Sequence, residues 1–329
     1  PNDYSSIVRL EGEADATILE EPSCPLAGCV SSLKASNGQI YVGLSGFETG
    51  LSIYGGVSWQ GFDYRNSPMD YDGVSDLAVE SGTLWVGTQY DGVWSQSAGG
   101  LRHYATDDGL VSDLVASISP AESGLWVGHS PIWDGYWHRG GGASYYDGTS
   151  WQSFGFGTPL EARFVNAICE KDDGTVVFGT GYPLGNGDVL LKTGDEWLAV
   201  SGVGPVTLSN IICGTVDADG RVLLGTERTG LVMIDGDEWL IISAEDGIPS
   251  DRVLALEPTS CGMVVVSCGD VLTPQYVAGG ICLLNGRDVW IPPEALVPID
   301  SSVTAISIDE SAGEWWFGTE TGEIFRYSE

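Results

Sequence analysis

Two of the chain's three histidines fall in one eleven-residue stretch, His129 to Arg139 (HSPIWDGYWHR), together with two tryptophans, a tyrosine and an arginine. Aromatic faces stack on the apolar faces of sugar rings, and the arginine fork pairs with carboxylates. Trp133, Tyr136, Trp137, His138 and Arg139 therefore read as a platform for a sugar or an anionic group, with Tyr64, Arg65, Tyr71, Arg163, Tyr182 and Tyr276 as candidates to complete its rim. The same residue types would serve a polysaccharide lyase, with His129 or His138 and Tyr136 as base and Arg139 neutralising a uronate. The competing structural reading is a long loop folded over its neighbour, with the aromatics tucked beneath.

Other chemistries find less support. Glycosidases need two facing carboxylates, and 46 acidic residues single out no pair. No nucleophile elbow, HExxH, P-loop or dinucleotide motif stands in a fitting context. Asp217 to Gly220 and Asp70 to Gly73 resemble calcium loops, but Arg228 and Ser81 stand where the twelfth-position glutamate belongs. Asp-Gly at a tight turn is the simpler account, so no cofactor is expected and calcium is the one left open.

The formal charge is −33, from 46 acidic against 13 basic residues. So few cations cannot build a phosphate-neutralising patch, which excludes nucleic acid as a partner and disfavours anionic membranes. No apolar run reaches the length of about 18 residues that a membrane span needs. The charge keeps the surface soluble and draws cationic partners.

Seven cysteines is an odd number. Cys24 and Cys29 flank a short loop and are candidates for one bridge. Cys268 ends one strand and Cys282 starts the next, and these are candidates for a second, across a hairpin. Cys169 and Cys213 read as buried strand residues. Without a CxxC pair structural zinc is not expected, and two bridges would place the chain in an oxidising compartment.

The elements that must carry these residues are set by a repeat. Gly82 to Thr88 (GTLWVGT) is a turn glycine, an apolar strand and a small pair opening a loop. The pattern returns at Gly38, Gly124, Gly174, Gly220, Gly262 and Gly313. Aligned on the second glycine, the copies fall at Gly43, Gly87, Gly128, Gly179, Gly225, Ser267 and Gly318, 41 to 51 residues apart. A period in the forties built from short apolar runs and turn glycines is the mark of propeller blades. Each copy reads as four strands, a to d, with the glycine stretch as strand b. Asp147-Gly148, Asp235-Gly236 and Asn285-Gly286 supply two-residue turns between c and d. Trp59, Trp151, Trp197, Trp239 and Trp290 open strand d as wedges between blades.

A second signature links d to the next a, as Asp108 to Asp113 (DGLVSD) and Asp246 to Asp251 (DGIPSD), shortened at Asp72 to Asp76 and Ser209-Asn210. This order, DG(L/I)xS(D/N), apolar strand, GxLWVGT, YDGxxW, resembles the two-component regulator propeller repeat over nearly the whole chain. It departs at Leu44 in blade one and at Ser267-Cys268 in blade six. The resemblance implies a sensing or binding habit, as in the periplasmic halves of hybrid histidine kinases and in secreted relatives, with no fixed chemistry.

The expectation is an all-β, seven-bladed β-propeller of four-stranded antiparallel blades, one domain over 1–329. Blades are expected near 30–73, 74–110, 111–164, 165–210, 211–251, 252–302 and 303–329. The last repeat ends at its strand c, so residues 4–10 are expected to supply its outer strand and close the ring, removing open edges. The long insertions, including 11–29, 62–72, 129–142, 155–164, 181–188, 269–280 and 292–301, all fall in b–c or d–a loops, on one face. Function is therefore expected there. It is recognition of a glycan, small molecule or protein partner, extracellular, at the cell surface or periplasmic. A structural subunit of a surface assembly and a polysaccharide lyase are the alternatives.

Overall fold

Each repeat folds as an antiparallel sheet because its apolar runs are short, β-branched and separated by turn residues that take positive φ, such as Gly82 (φ 75°), Gly174 (78°) and Gly220 (78°). The structure, a computed structural model, describes residues 7–11, 15–19, 28–46, 49–63, 65–68, 73–133, 138–203, 205–269, 280–290 and 302–328. It is a seven-bladed β-propeller. Blades one to six are four-stranded sheets over 29–62, 74–104, 115–154, 165–200, 211–242 and 253–290. Helix is limited, among the described residues, to two 3₁₀ turns, Thr106–Asp108 and Ala244–Asp246. Among the described residues no helix is long and apolar enough to cross a membrane.

The seventh sheet closes the ring differently from an up-and-down blade. Ile7–Glu11 pairs with Ile324–Ser328 in parallel, Ile7 opposite Ile324 and Glu11 opposite Ser328, and Asp15–Leu19 adds an antiparallel fifth strand outside it. The reason is parity. Strand a of blade one begins on the loop face, so the strand before it must finish there. A parallel outer strand ends on the opposite face, and Asp15–Leu19 brings the chain back. Part of the expected 11–29 loop is therefore strand.

Seven apolar clusters, one per blade interface, make the core. Leu33, Val42, Ala305 and Trp316 pack between blades seven and one, and Trp126, Val165 and Phe178 between three and four. Full burial of a Leu, Val or Phe side chain among them contributes roughly 1.5–3 kcal/mol. The aligned glycines are explained by the same contacts. A Cβ on Gly43, Gly87, Gly179, Gly225 or Gly318 would meet the first β-branched residue of the next blade's strand a at 2.3–2.7 Å, the partners being Val74, Val115, Ile211, Val253 and Val30. On Gly128 it would stand 2.2 Å from Val165 O. One residue into strand a, each of the seven inner strands carries a bulge, from Val30/Ser32 round to Val303/Ala305.

Side chains near these bulges stitch each blade to the next. Thr304 Oγ1 donates to Val30 O (2.5 Å), Ser31 Oγ to Val74 O (2.6 Å), Ser117 Oγ to Val165 O (3.2 Å) and Asn166 Nδ2 to Ile211 O (2.9 Å). Ser267 Oγ, in place of the glycine, donates to Val303 O (2.6 Å), and the Cys213 thiol reaches Val253 O (3.8 Å). Between blades two and three Asp76 takes this role. Its carboxylate accepts from Ser32 Oγ (2.8 Å), Leu77 N (2.8 Å) and Ile118 N (2.7 Å), joining blades one, two and three.

Two expectations need correction. Trp59, Trp151, Trp197 and Trp239 pack against the preceding blade, but in blade six Val289 takes that place and Trp290 is half exposed. Cys268 and Cys282 are free, buried thiols. Register sets Cys268 opposite Gly280 and Cys282 opposite Val266. The pair is thus diagonal, a spacing of about 7–8 Å between Cα atoms, against the roughly 5.5–6 Å a bridge prefers. Cys29 is also free, and Cys24 lies outside the described residues.

Candidate functional site

The loop face is shaped by how each strand b ends. In blades two and five the strand-end threonine caps a tight loop. Thr88 Oγ1 donates to Gly92 O (3.0 Å) and accepts from Asp91 N (2.8 Å), while Thr226 Oγ1 donates to Gly230 O (2.8 Å) and accepts from Thr229 N (2.8 Å). Blade one has Leu44 there, and Thr49 supplies the hydroxyl instead, donating to Leu44 O (2.9 Å). The DG(L/I)xSD signature is structural too. Gly109 and Gly247 both take φ 111° to end the 3₁₀ turns, Leu110 and Ile248 enter the core, and Asp113 and Asp251 accept from Thr106 N and Ala244 N at 2.8 Å.

Blade three departs from this scheme, because His129 stands where the threonine would. It is fully buried and shares a hydrogen bond of 2.8 Å with Ser144 Oγ, which also accepts from Val111 N (3.0 Å). Burial lowers its pKa to about 3. A neutral, enclosed imidazole of this kind is packed within its blade. Strands b (Gly124–Trp133) and c (His138–Tyr146) continue as a ladder, Pro131 opposite Gly140, Ile132 opposite Arg139 and Trp133 opposite His138. Gly140, Gly141 and Gly142, all at positive φ, let its root bend against blade four, where Gly142 N donates to Arg163 O (3.0 Å).

Of the residues singled out in the sequence, Tyr64, Tyr71, Tyr136, Trp137 and Tyr276 lie outside the described residues, and of Trp133, His138 and Arg139 the backbone alone is placed. Arg65 folds back on its own loop. Its Nε donates to Asp63 Oδ2 (2.9 Å), a second nitrogen pairs with the same oxygen, and this hydrogen bonding holds the Asp63 carboxyl below the usual range. Tyr182 is exposed, edge-on to Phe164 at 5.2 Å. Arg163 is paired with Asp188. The Asp217 and Asp219 carboxylates are both occupied by Arg221, at 2.7 Å each. Among the described residues no group of three metal-ligating side chains gathers.

Sequence reasoning did not single out a set of exposed apolar residues among the described residues of this face. Tyr90 (59% exposed), Ile132 (52%), Phe156 (94%), Leu184 (57%) and Val206 (41%) join Tyr182 (56%) in segments from the blade-two b–c loop, through the extended ladder of blade three, to the blade four–five connection. Patterning could not find them, since single apolar residues in loops look like loop-anchoring ones. The Leu184 loop is nonetheless tied to its neighbour. Leu184, at φ 63°, has its N–H bound to Glu227 Oε2 (2.7 Å) and its carbonyl to Arg228 Nη2 (2.9 Å), both from blade five. Along the axis, the seven inner strands enclose a channel of about 660 Å³, with Lys34 Nζ 3.8 Å from Glu257 Oε2.

This geometry defines a seven-bladed propeller with one elaborated face, and solved structures share the fold. The extracellular domain of the hybrid two component system BT3049 of B. thetaiotaomicron matches over 91% of this chain and 39% of its own, at TM-score 0.67 and 17% identity. Virginiamycin B lyase from Staphylococcus aureus matches over 90% and 93%, at 0.65 and 13%. PorZ, an essential surface component of the type-IX secretion system of Porphyromonas gingivalis, matches over 94% and 48%, at 0.66 and 14%. This chain therefore spans less than half the length of the BT3049 and PorZ chains. No family model matches the chain, and no curated protein matches it in sequence.

Proposed function

We propose that the chain is a non-catalytic extracellular or periplasmic recognition module whose loop face, from blade two to blade five, receives a partner protein or peptide. The observation that carries this reading is the set of exposed apolar side chains on this face, with the Leu184 loop tied to blade five, in a chain whose net charge is −33. Exposed apolar groups rimmed by polar surface mark interaction sites. The acidic surroundings favour a partner carrying positive charge, through faster encounter. The fold shared with a sensor's extracellular domain and with a secretion-system surface component is in keeping with this, as is the resemblance of the repeat.

The test is selection of binders from a displayed random-peptide library and a glycan array against the whole chain. Basic, apolar-containing peptides are expected, with binding lost on joint Phe156→Ser and Tyr182→Ser substitution. Glycan hits that are lost on the same joint substitution would redirect the reading to a sugar platform on the loop face. Binders indifferent to those substitutions would sink the loop-face assignment.

A further inference from the structure

On the opposite face, the interface between blades one and two lacks its wedge. In blades one, three, four and five a strand-d tryptophan stands opposite the end of strand c: Trp59 opposite Tyr54, Trp151 opposite Tyr146, Trp197 opposite Lys192 and Trp239 opposite Ile234. Each packs against the preceding blade. In blade two the same register holds Leu101 opposite Gln96. Leu101 is 44% exposed, and neither residue belongs to the core between blades one and two. Where the wedge is missing, a cleft of about 350 Å³ opens between the a–b turns of both blades and the c–d turn of blade two.

The lining of this cleft has a definite chemistry. Three carboxamides, Asn37, Gln39 and Gln96, face it with Tyr41, over a floor that includes Ile53 and Leu84. No charged residue lines it, in a chain with 46 acidic side chains. Tyr41 Oη donates to Gln39 Oε1 (2.7 Å), and Gln96 Nε2 lies 3.3 Å from Ser97 O. Gln39 Nε2 and Gln96 Oε1 have no hydrogen-bond partner among the described residues.

We propose that this cleft binds a neutral sugar unit. A carboxamide offers both donors and acceptors, as vicinal hydroxyls require. Ions find no countercharge here. The tyrosine ring and aliphatic floor suit the C–H face of a pyranose, and the volume is at the lower end of ligand pockets, which run from roughly 300 to 1,000 Å³. The site lies across the ring from the loop face, so it stands or falls independently of the function proposed above.

Saturation-transfer NMR on the whole chain with glucose, galactose, mannose and N-acetylglucosamine tests it. Transfer to the ring protons of at least one sugar is expected, at least tenfold weaker by titration in Gln39→Ala and Gln96→Ala. Leu101→Trp, which restores the wedge of the other blades, is expected to abolish transfer and raise Tm together. Absence of transfer from every sugar, or transfer that survives both glutamine substitutions, overturns the proposal. Saturation of N-acetyltryptophanamide in place of the sugars also overturns it, assigning the cleft to a partner's aromatic side chain.

Discussion

A Cβ placed on Gly318 would stand 2.3 Å from Cγ1 of Val30. The last blade's motif glycine thus meets the first buried residue of blade one, and the two close the ring. Gly318→Ala is expected to destabilise by about 1–3 kcal/mol, the usual cost of overpacking a tight contact. Gly55, with no heavy atom within 4 Å of its would-be Cβ and no positive φ, is the control. Its alanine variant should be neutral or slightly stabilising. Thermal melts of the two variants side by side check this.

Asp76 provides a second test of how the blades are joined. Its Oδ2 accepts from Ile118 N at 2.7 Å, across the blade two–three interface, and its Oδ1 from Ser32 Oγ and Leu77 N. Asn at this position turns one acceptor into a donor facing an N–H group. Asp76→Asn is therefore expected to cost roughly 1–3 kcal/mol, the penalty of an unsatisfied buried group. Urea unfolding with an unchanged slope would show that the loss is one of stability.

The period, the strand order and the face of the long loops were legible in the sequence, because turn glycines and apolar runs are local signals. The role of the aligned glycine was not. Gly87 reads as a turn opener, but its partner Val115 lies in the next repeat, and spacing carries no information on what touches across an interface. The same holds for His129. Its residue type signals chemistry, while its position, aligned with Thr88 and Thr226, signals packing, and the side chain is buried. The ladder beyond it was hidden by Pro131 and three successive glycines, which argue for a loop unless the backbone is seen to bend at Gly140 to Gly142 without losing its pairing. Cys268 and Cys282 were correctly set on adjacent strands, but a shift of two residues in register separates a bridge from a diagonal contact.

That diagonal contact makes thiol chemistry a direct check. Burial pushes the Cys169 thiol up to about 12 and raises Cys213, and hydrogen bonding to Cys268 together with burial raises Cys282. The thiolate is the reacting species, so these groups should resist a water-soluble thiol reagent in the native state. Cys261 is exposed and should react first among the described cysteines. Labelling followed by peptide mapping is expected to find Cys261 modified within minutes and Cys169, Cys213 and Cys282 modified only after unfolding. A mapped Cys268–Cys282 disulfide would contradict the free pair seen in the fold.

His129 ties the blade-three departure to pH. Its ordinary pKa of 6.5 is lowered to about 3 by burial in the folded state. As pH falls below about 6.5 the unfolded chain takes up a proton that the folded chain refuses, so stability is full above that value and declines towards pH 3, where the slope ends. Each pH unit within that window costs about 1.36 kcal/mol, so the loss across it is on the order of 3–5 kcal/mol. Asp76 and Glu257 act in the opposite sense. Burial raises both, so the folded chain gains relative stability as acid protonates them, and the total curve mixes the two effects. His129→Gln removes only the first. It keeps a side chain able to bond Ser144, at some packing cost that does not depend on pH. The expected result is a variant less stable than the parent at pH 7 whose Tm falls less between pH 6.5 and pH 4. Parallel curves would mean that the imidazole is charged in the folded state, and with it that His129 has access to water and to the loop face above.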